Sequence, residues 1–150
     1  YQTPAGQTNT LAAGGTLNFN GNYTFLDANQ NGISDAWEMY YFGSVTTNRT
    51  RLTDTDGDGM TDYAEFIAGT DPTNPASRFD FIGEPIQSNS LIQLQWTVVT
   101  NRLYQVNAST NLQAWLPVTA WLQASNNPTM SYTTTNSGAG ASFYRVQVKP

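Results

Sequence analysis

Neither cysteine nor histidine occurs anywhere in the 150 residues. Without thiols there is no disulfide framework, and without thiolates or imidazoles there is no ligand set for zinc, copper, haem or an iron–sulfur cluster. The same absence removes the commonest general base and the thiol nucleophile, so Ser–His–Asp and Cys–His chemistry are both excluded. Charge is scarce as well, with six Lys or Arg against eleven Asp or Glu. The six cations form no basic patch interleaved with aromatics, which argues against nucleic acid as a partner. No apolar run approaches the length of a membrane span.

What is present is concentrated in one stretch, where two twelve-residue acidic loops of the same pattern stand in tandem at a 27-residue offset. The first begins at Asp27 and carries Asn29, Asn31, Gly32, Ile33, Asp35 and Glu38. The second begins at Asp54 and carries Asp56, Asp58, Gly59, Met60, Asp62 and Glu65. Oxygen-bearing side chains thus fall at positions 1, 3, 5 and 9, Gly at 6, an apolar residue at 7 and Glu at 12. That spacing suits a hard cation: alternate side chains turn inward from a curled backbone and the glycine makes the sharp bend. The residue at position 7, Ile33 or Met60, offers its carbonyl and sends its side chain to the core, and the closing glutamate supplies two oxygens. Six or more converging oxygens favour Ca²⁺ over Mg²⁺. Two Ca²⁺ sites are therefore expected, with Asp27, Asn29, Asn31, Ile33, Asp35 and Glu38 at one and Asp54, Asp56, Asp58, Met60, Asp62 and Glu65 at the other.

The loops also explain the charge. The formal net charge is −5, yet eight of the eleven carboxylates lie inside the loops and only Asp71, Asp80 and Glu84 lie outside. The body of the chain is mildly basic, and two bound dications would cancel most of the total. Abundant Thr, Asn, Gln and Ser, the lack of thiols and the calcium loops point outside the cytoplasm, with metal supplying the stapling that disulfides supply elsewhere. The start at Tyr1 rather than Met is what a mature product with its signal peptide removed would show. The expected location is extracellular or at the cell surface.

Ahead of the loops, residues 1–16 are small and polar. Leu17, Phe19, Tyr23 and Phe25 then alternate with Asn or Thr, which predicts a period-2 strand over residues 17–25. That strand either joins the chain's own sheet or is donated to a neighbouring subunit. Each loop runs into a short helix: Asp35 to Phe42 ended by Gly43, and Asp62 to Ala68 ended by Gly69. Their aromatics, Trp37, Tyr40, Tyr41, Tyr63 and Phe66, are expected to pack together or on the following domain. Residues 39–53 are too few to hold an exiting and an entering helix, so these are half EF-hands. A groove opened by calcium, as in cytosolic sensors, is not expected.

Taken together, Asp-x-Asn-x-Asn-Gly-Ile-Ser-Asp-x-Trp-Glu and Asp-x-Asp-Gly-Asp-Gly-Met-Thr-Asp-x-x-Glu-Phe-x-x-Gly-Thr-Asp-Pro resemble the dockerin-like and thrombospondin type 3-like calcium repeats of secreted bacterial proteins. The resemblance covers about residues 27–75 and implies loops that rigidify a connector. Asp71 in the tail reads either as an added ligand or as the cap of a turn, Asp-Pro being a common turn pair.

Beyond the Asp71–Pro75 connector the pattern becomes short alternating strands. Phe79 to Ile82 is the first; Ile92, Leu94 and Trp96 follow, then Tyr104 and Val106, Met130 and Tyr132, and finally Tyr144, Val146 and Val148. This predicts a mainly β protein, an Ig-like or fibronectin-like β-sandwich over residues 76–150 beside a calcium module of two loop–helix repeats over 27–75, with 1–26 as an N-terminal extension. The segment also resembles the small C-terminal β-domains that follow such calcium repeats. Five or six strands are countable against about seven in an Ig sandwich. The Leu17–Phe25 strand is therefore a candidate to complete a neighbour's sheet, and an unclosed contact of that kind propagates as a fibre.

No enzymatic activity is expected: Asp71, Asp80 and Glu84 are the only carboxylates left for glycoside hydrolysis. The leading expectation is a calcium-stabilised structural protein that self-associates into a homo-oligomer or filament. The alternative is a carbohydrate-binding or surface-anchoring module with a polysaccharide as ligand. Trp115 and Trp121 are its candidate platforms and otherwise core residues.

Overall fold

The structure, a computed structural model, describes residues 15–19, 23–83, 85–88, 91–135 and 142–150. It divides into two compact units. One takes the chain up to Phe66 together with Asp71–Ser77, and the other takes Ile67–Thr70 and Arg78–Pro150.

The first unit holds β1 (Gly15–Phe19), β2 (Tyr23–Asp27), both acidic loops and α1 (Asp35–Phe42), and α2 (Asp62–Ala68) starts in it. The alternation predicted one strand over Leu17–Phe25. Instead β1 and β2 pair antiparallel with each other, so that Leu17 stands opposite Phe25 and Phe19 opposite Tyr23. Period 2 cannot separate the two outcomes, because residues directly opposite in an antiparallel pair belong to the same alternating set. Residues 20–22 between the two strands lie outside the described residues, as do residues 1–14.

Both helices occupy the spans expected of them. Gly43 closes α1 in the left-handed region at φ 67°, its N–H donating to Met39 O at 3.1 Å. Their aromatics form one cluster: Trp37 lies 5.7 Å from Phe66 and 4.7 Å from Tyr41, and Phe66 meets Phe25 edge-on at 5.2 Å. That packing joins β2, α1 and α2, and Ile33 between the first loop's ligand positions is fully buried. Asp71 caps a turn, accepting from the Thr73 N–H at 3.0 Å and the Thr73 hydroxyl at 2.7 Å.

The second unit is mainly β. One sheet has the order β3 (Ile86–Ser88), β4 (Leu91–Thr97), β8 (Thr129–Thr135). In the other, β5 (Leu103–Ser109) is central, with β9 (Phe143–Lys149) on one side and the two-residue strands β6 (Leu116–Pro117) and β7 (Leu122–Gln123) on the other. Ile92, Leu94 and Trp96 from β4 and Tyr104 and Val106 from β5 form the buried core between the sheets, joined by Ala124. These are the inward positions of a period-2 pattern, and β4 alternates exposed and buried along its length.

Three expectations are corrected here. Phe79–Ile82 is not a full strand: Phe81 makes a single bridge to Trp96, and the edge resumes at β3 after Gly83, at φ 68°, and Pro85. Proline gives no ladder N–H, so the edge is interrupted there. Among the described residues this unit has seven strands, not five or six, so no shortage of strands calls for Leu17–Phe25. Nor do Trp115 and Trp121 belong to the buried core: Trp115 is half-buried with the Arg145 guanidinium 4.5 Å from its ring, and Trp121 is 36% exposed.

Candidate metal centre

The second loop is drawn into a curl by its own backbone amides. Asp54 accepts from the N–H groups of Gly57 at 2.8 Å and Gly59 at 3.0 Å. Asp56 accepts from Asp58 N–H at 3.2 Å, and Asp58 from Met60 N–H at 2.6 Å. Each of these carboxylates is thus pinned through backbone that only a tight turn brings close. As a result Asp54, Asp56 and Asp58 can present one oxygen each, all within 4.8 Å of one another.

Three like charges at that spacing repel. Partial burial pushes the Asp56 carboxyl above its ordinary value, the charges of Asp58 and Asp54 push the same way, and the Asp58 amide offsets part of the rise. Asp56 Oδ2 is shielded from solvent and accepts no hydrogen bond. An acceptor-only oxygen without a donor, inside a ring of carboxylates, is what a hard dication would satisfy. The residues therefore fit Ca²⁺.

Around this ring, Asp62 at position 9 is fully buried; Oδ1 accepts from the Thr55 N–H at 2.9 Å, and Oδ2 accepts from the Thr55 hydroxyl at 2.8 Å and from Arg49 Nε at 3.1 Å. These bonds brace the loop from inside. Glu65 is fully buried in the first turn of α2, with its N–H on Thr61 O at 2.9 Å. Met60 is half-buried, whereas its counterpart Ile33 is wholly inside.

The first loop has the same curl but a different interior. Asp27, fully buried, accepts from Asn31 N–H at 3.1 Å and Gly32 N–H at 2.8 Å, and Asp35 accepts from Ala28 N–H at 2.9 Å. Asn29 and Asn31 replace two of the carboxylates, and their amide groups donate to Glu38: Asn29 to both oxygens at 3.2 and 3.1 Å, Asn31 to Oε1 at 3.3 Å. Arg49 Nη1 joins them on Oε1 at 3.1 Å. Burial drives the Glu38 carboxyl above its ordinary value, opposed by Arg49 and by the two asparagine amides.

Sequence reasoning missed two residues of this region. Arg49 bonds Glu38 with one nitrogen and, through Nε at 3.1 Å, Asp62 of the second loop with another, its guanidinium carbon 3.5 Å from the centre of the Phe42 ring. Arg51 donates from Nε to Asn31 O at 3.1 Å, with its guanidinium over Tyr63 at 4.6 Å. The available signal was two arginines in a fifteen-residue connector between acidic loops, in a chain holding six cations in all.

Among the described residues, no helix is long and apolar enough to cross a membrane. No curated protein and no solved structure matches the chain. Among protein families, the bacterial TSP3 repeat matches residues 54–75, spanning the second loop, α2 and the Asp71 turn. Residues 54–75 are thus similar to a calcium-binding type of repeat.

Proposed function

We propose that the chain is a secreted, calcium-stabilised structural protein, a subunit of an extracellular or cell-surface fibre joined by β-strand addition from its N-terminal segment. Calcium stiffens the loop unit at two sites. The second loop, with more carboxylates, is the tighter one; the first, with Asn29 and Asn31, is the weaker. Leu17, Phe19, Tyr23 and Phe25 supply the apolar set of the joining segment.

The observation that carries the reading is the edge of β9. Among the described residues β9 pairs only with β5, and it is a seven-residue strand without proline. Natural sheets blunt such edges, and an open one is a template for another strand. Beside it lies a cleft of about 700 Å³ lined by Ile92 and Leu94 of β4 and by Phe143 and Tyr144 of β9, with Phe81 and Trp115 at its walls. A strand laid along β9 would extend that sheet and cover apolar surface of the cleft. Donor and acceptor are different parts of the chain, so the contact is heterologous, and with a rotation that does not close it propagates as a fibre.

The test is negative-stain microscopy of the protein in millimolar calcium and then in chelator. Filaments that fray on chelation, and that disappear when residues 1–26 are deleted, are the expected result. Monodisperse monomers in both conditions overturn the fibre. A polysaccharide-binding module is the second reading, favoured by the aromatic cleft and by Trp121, exposed beneath Lys149 Nζ at 4.2 Å. Retention of such monomers on a polysaccharide column would support it.

A further inference from the structure

The two loops differ in the charges their own residues bring together. The second carries five carboxylates, three of them in one ring. The first carries three, and two guanidinium groups from the connector reach back to it. At its closing residue, Glu38 Oε1 already has three N–H donors and Oε2 has one. Glu38 is fully buried and Arg49 is only 13% exposed, so this pair is shielded from water and from salt. The aromatic face of Phe42 backs the guanidinium on its other side.

We propose that Arg49 is the resident cation of the first loop: its guanidinium neutralises Glu38, holds the loop folded without calcium and sets the first site's calcium affinity well below that of the second. A dication approaching Glu38 must compete with a fixed positive charge a few ångströms away. Because the same guanidinium also grips Asp62, the calcium-free first loop is tied to the brace of the second. The asparagines at Asn29 and Asn31 fit this role. Their amides donate to Glu38 beside Arg49, where aspartates could only repel it. This inference rests on the reading of the loops as calcium sites.

The test is calorimetric titration of the full chain with calcium, with native mass spectrometry giving the number of ions bound. The variants are Glu65→Gln, which silences the second loop, and Glu65→Gln combined with Arg49→Met. Glu65→Gln is expected to leave only a weak site. Adding Arg49→Met is expected to tighten it by roughly ten- to a hundredfold, the size of a charge effect at that distance after solvent screening. A first loop that binds as tightly in Glu65→Gln as the second does in the wild type overturns the proposal, as does unchanged or weaker binding in the double variant.

Melting in chelator is the second readout and stands whether or not any calcium binds. Arg49→Met lowers the midpoint of the loop unit, and Arg49→Lys, which keeps the charge without the fork, lowers it less. An unchanged midpoint overturns the proposal. Unfolding of Arg49→Met in chelator that calcium repairs supports it, whereas unfolding that calcium does not repair assigns Arg49 to packing alone and overturns it. Failure of the wild type to bind any calcium refutes instead the reading of the loops as metal sites.

Discussion

Replacing Glu65 by glutamine isolates what calcium contributes to the loop unit. Glu65 is fully buried in the first turn of α2 and is the twelfth residue of the loop whose Asp54, Asp56 and Asp58 come together, the position from which a closing ligand is expected. The substitution keeps the side-chain volume and removes one negative charge. A ligand that binds only the folded state stabilises it by about 2.7 kcal/mol at a hundred times its dissociation constant. The loops belong to a compact unit of fewer than 80 residues, and for units of about 60–100 residues each kcal/mol moves the midpoint by about 4–8 °C. Calcium at that excess should therefore raise the first melting transition of the wild type by about 10–20 °C and leave the β unit's transition in place. In Glu65→Gln the first transition should be nearly flat across the same titration. Differential scanning calorimetry over a calcium series reads both transitions in one experiment. A Glu65→Gln midpoint that climbs with calcium as the wild type's does would refute the assignment of Glu65 to the metal ring.

Three further outcomes are expected. Glu38→Gln should cost less stability than Glu65→Gln in saturating calcium, and it should still cost stability in chelator, since Glu38 is engaged by Arg49 and two amides; midpoints from the same calorimetry decide it. The β unit should weaken in alkali: burial holds the Tyr104 phenol above its ordinary 10.0, against the pull of the Val99 amide and Arg102. The unfolded tyrosine then loses its proton first, so stability present below about pH 10 drains away as pH rises toward the folded value. A pH series of denaturant midpoints should show this, and Tyr104→Phe should remove that slope. In the core, Trp96→Ala should cost about 3–5 kcal/mol by opening a cavity. Trp96→Phe should cost much less, because the ring stays and the buried Nε1, which has no hydrogen-bond partner, is removed. Equal denaturant midpoints for the two Trp96 variants would count against that account.

The bounds of both helices, the gathering of Asp54, Asp56 and Asp58 in the second loop and the inward residues of β4 and β5 could all be read from spacing alone. Each follows from chemistry local to a few residues: a glycine that must bend, a carboxylate every second position, an apolar side chain on one face of a strand. The 3.6- and 2-residue periods carry that information along the chain with no reference to distant parts.

Other features were decided only in three dimensions. Whether residues 17–25 form one strand or a hairpin turned on pairing, and the period is identical in both. The number of strands after the connector depended on β6 and β7, two residues each, which exist only because β5 offers them a ladder. Trp115 and Trp121 look like core residues by composition, but the interior was already filled by Trp96 and Tyr104, so they stayed outside it. Arg49 shows the limit most clearly. Its partners lie 11 and 13 residues away on opposite sides, and only the fold brings Glu38 and Asp62 within reach of a single guanidinium. Spacing alone marks the positions where a cation can be held, whereas the pairing of Arg49 with both loops exists only in the tertiary structure, because long-range electrostatic pairing leaves no period in the chain.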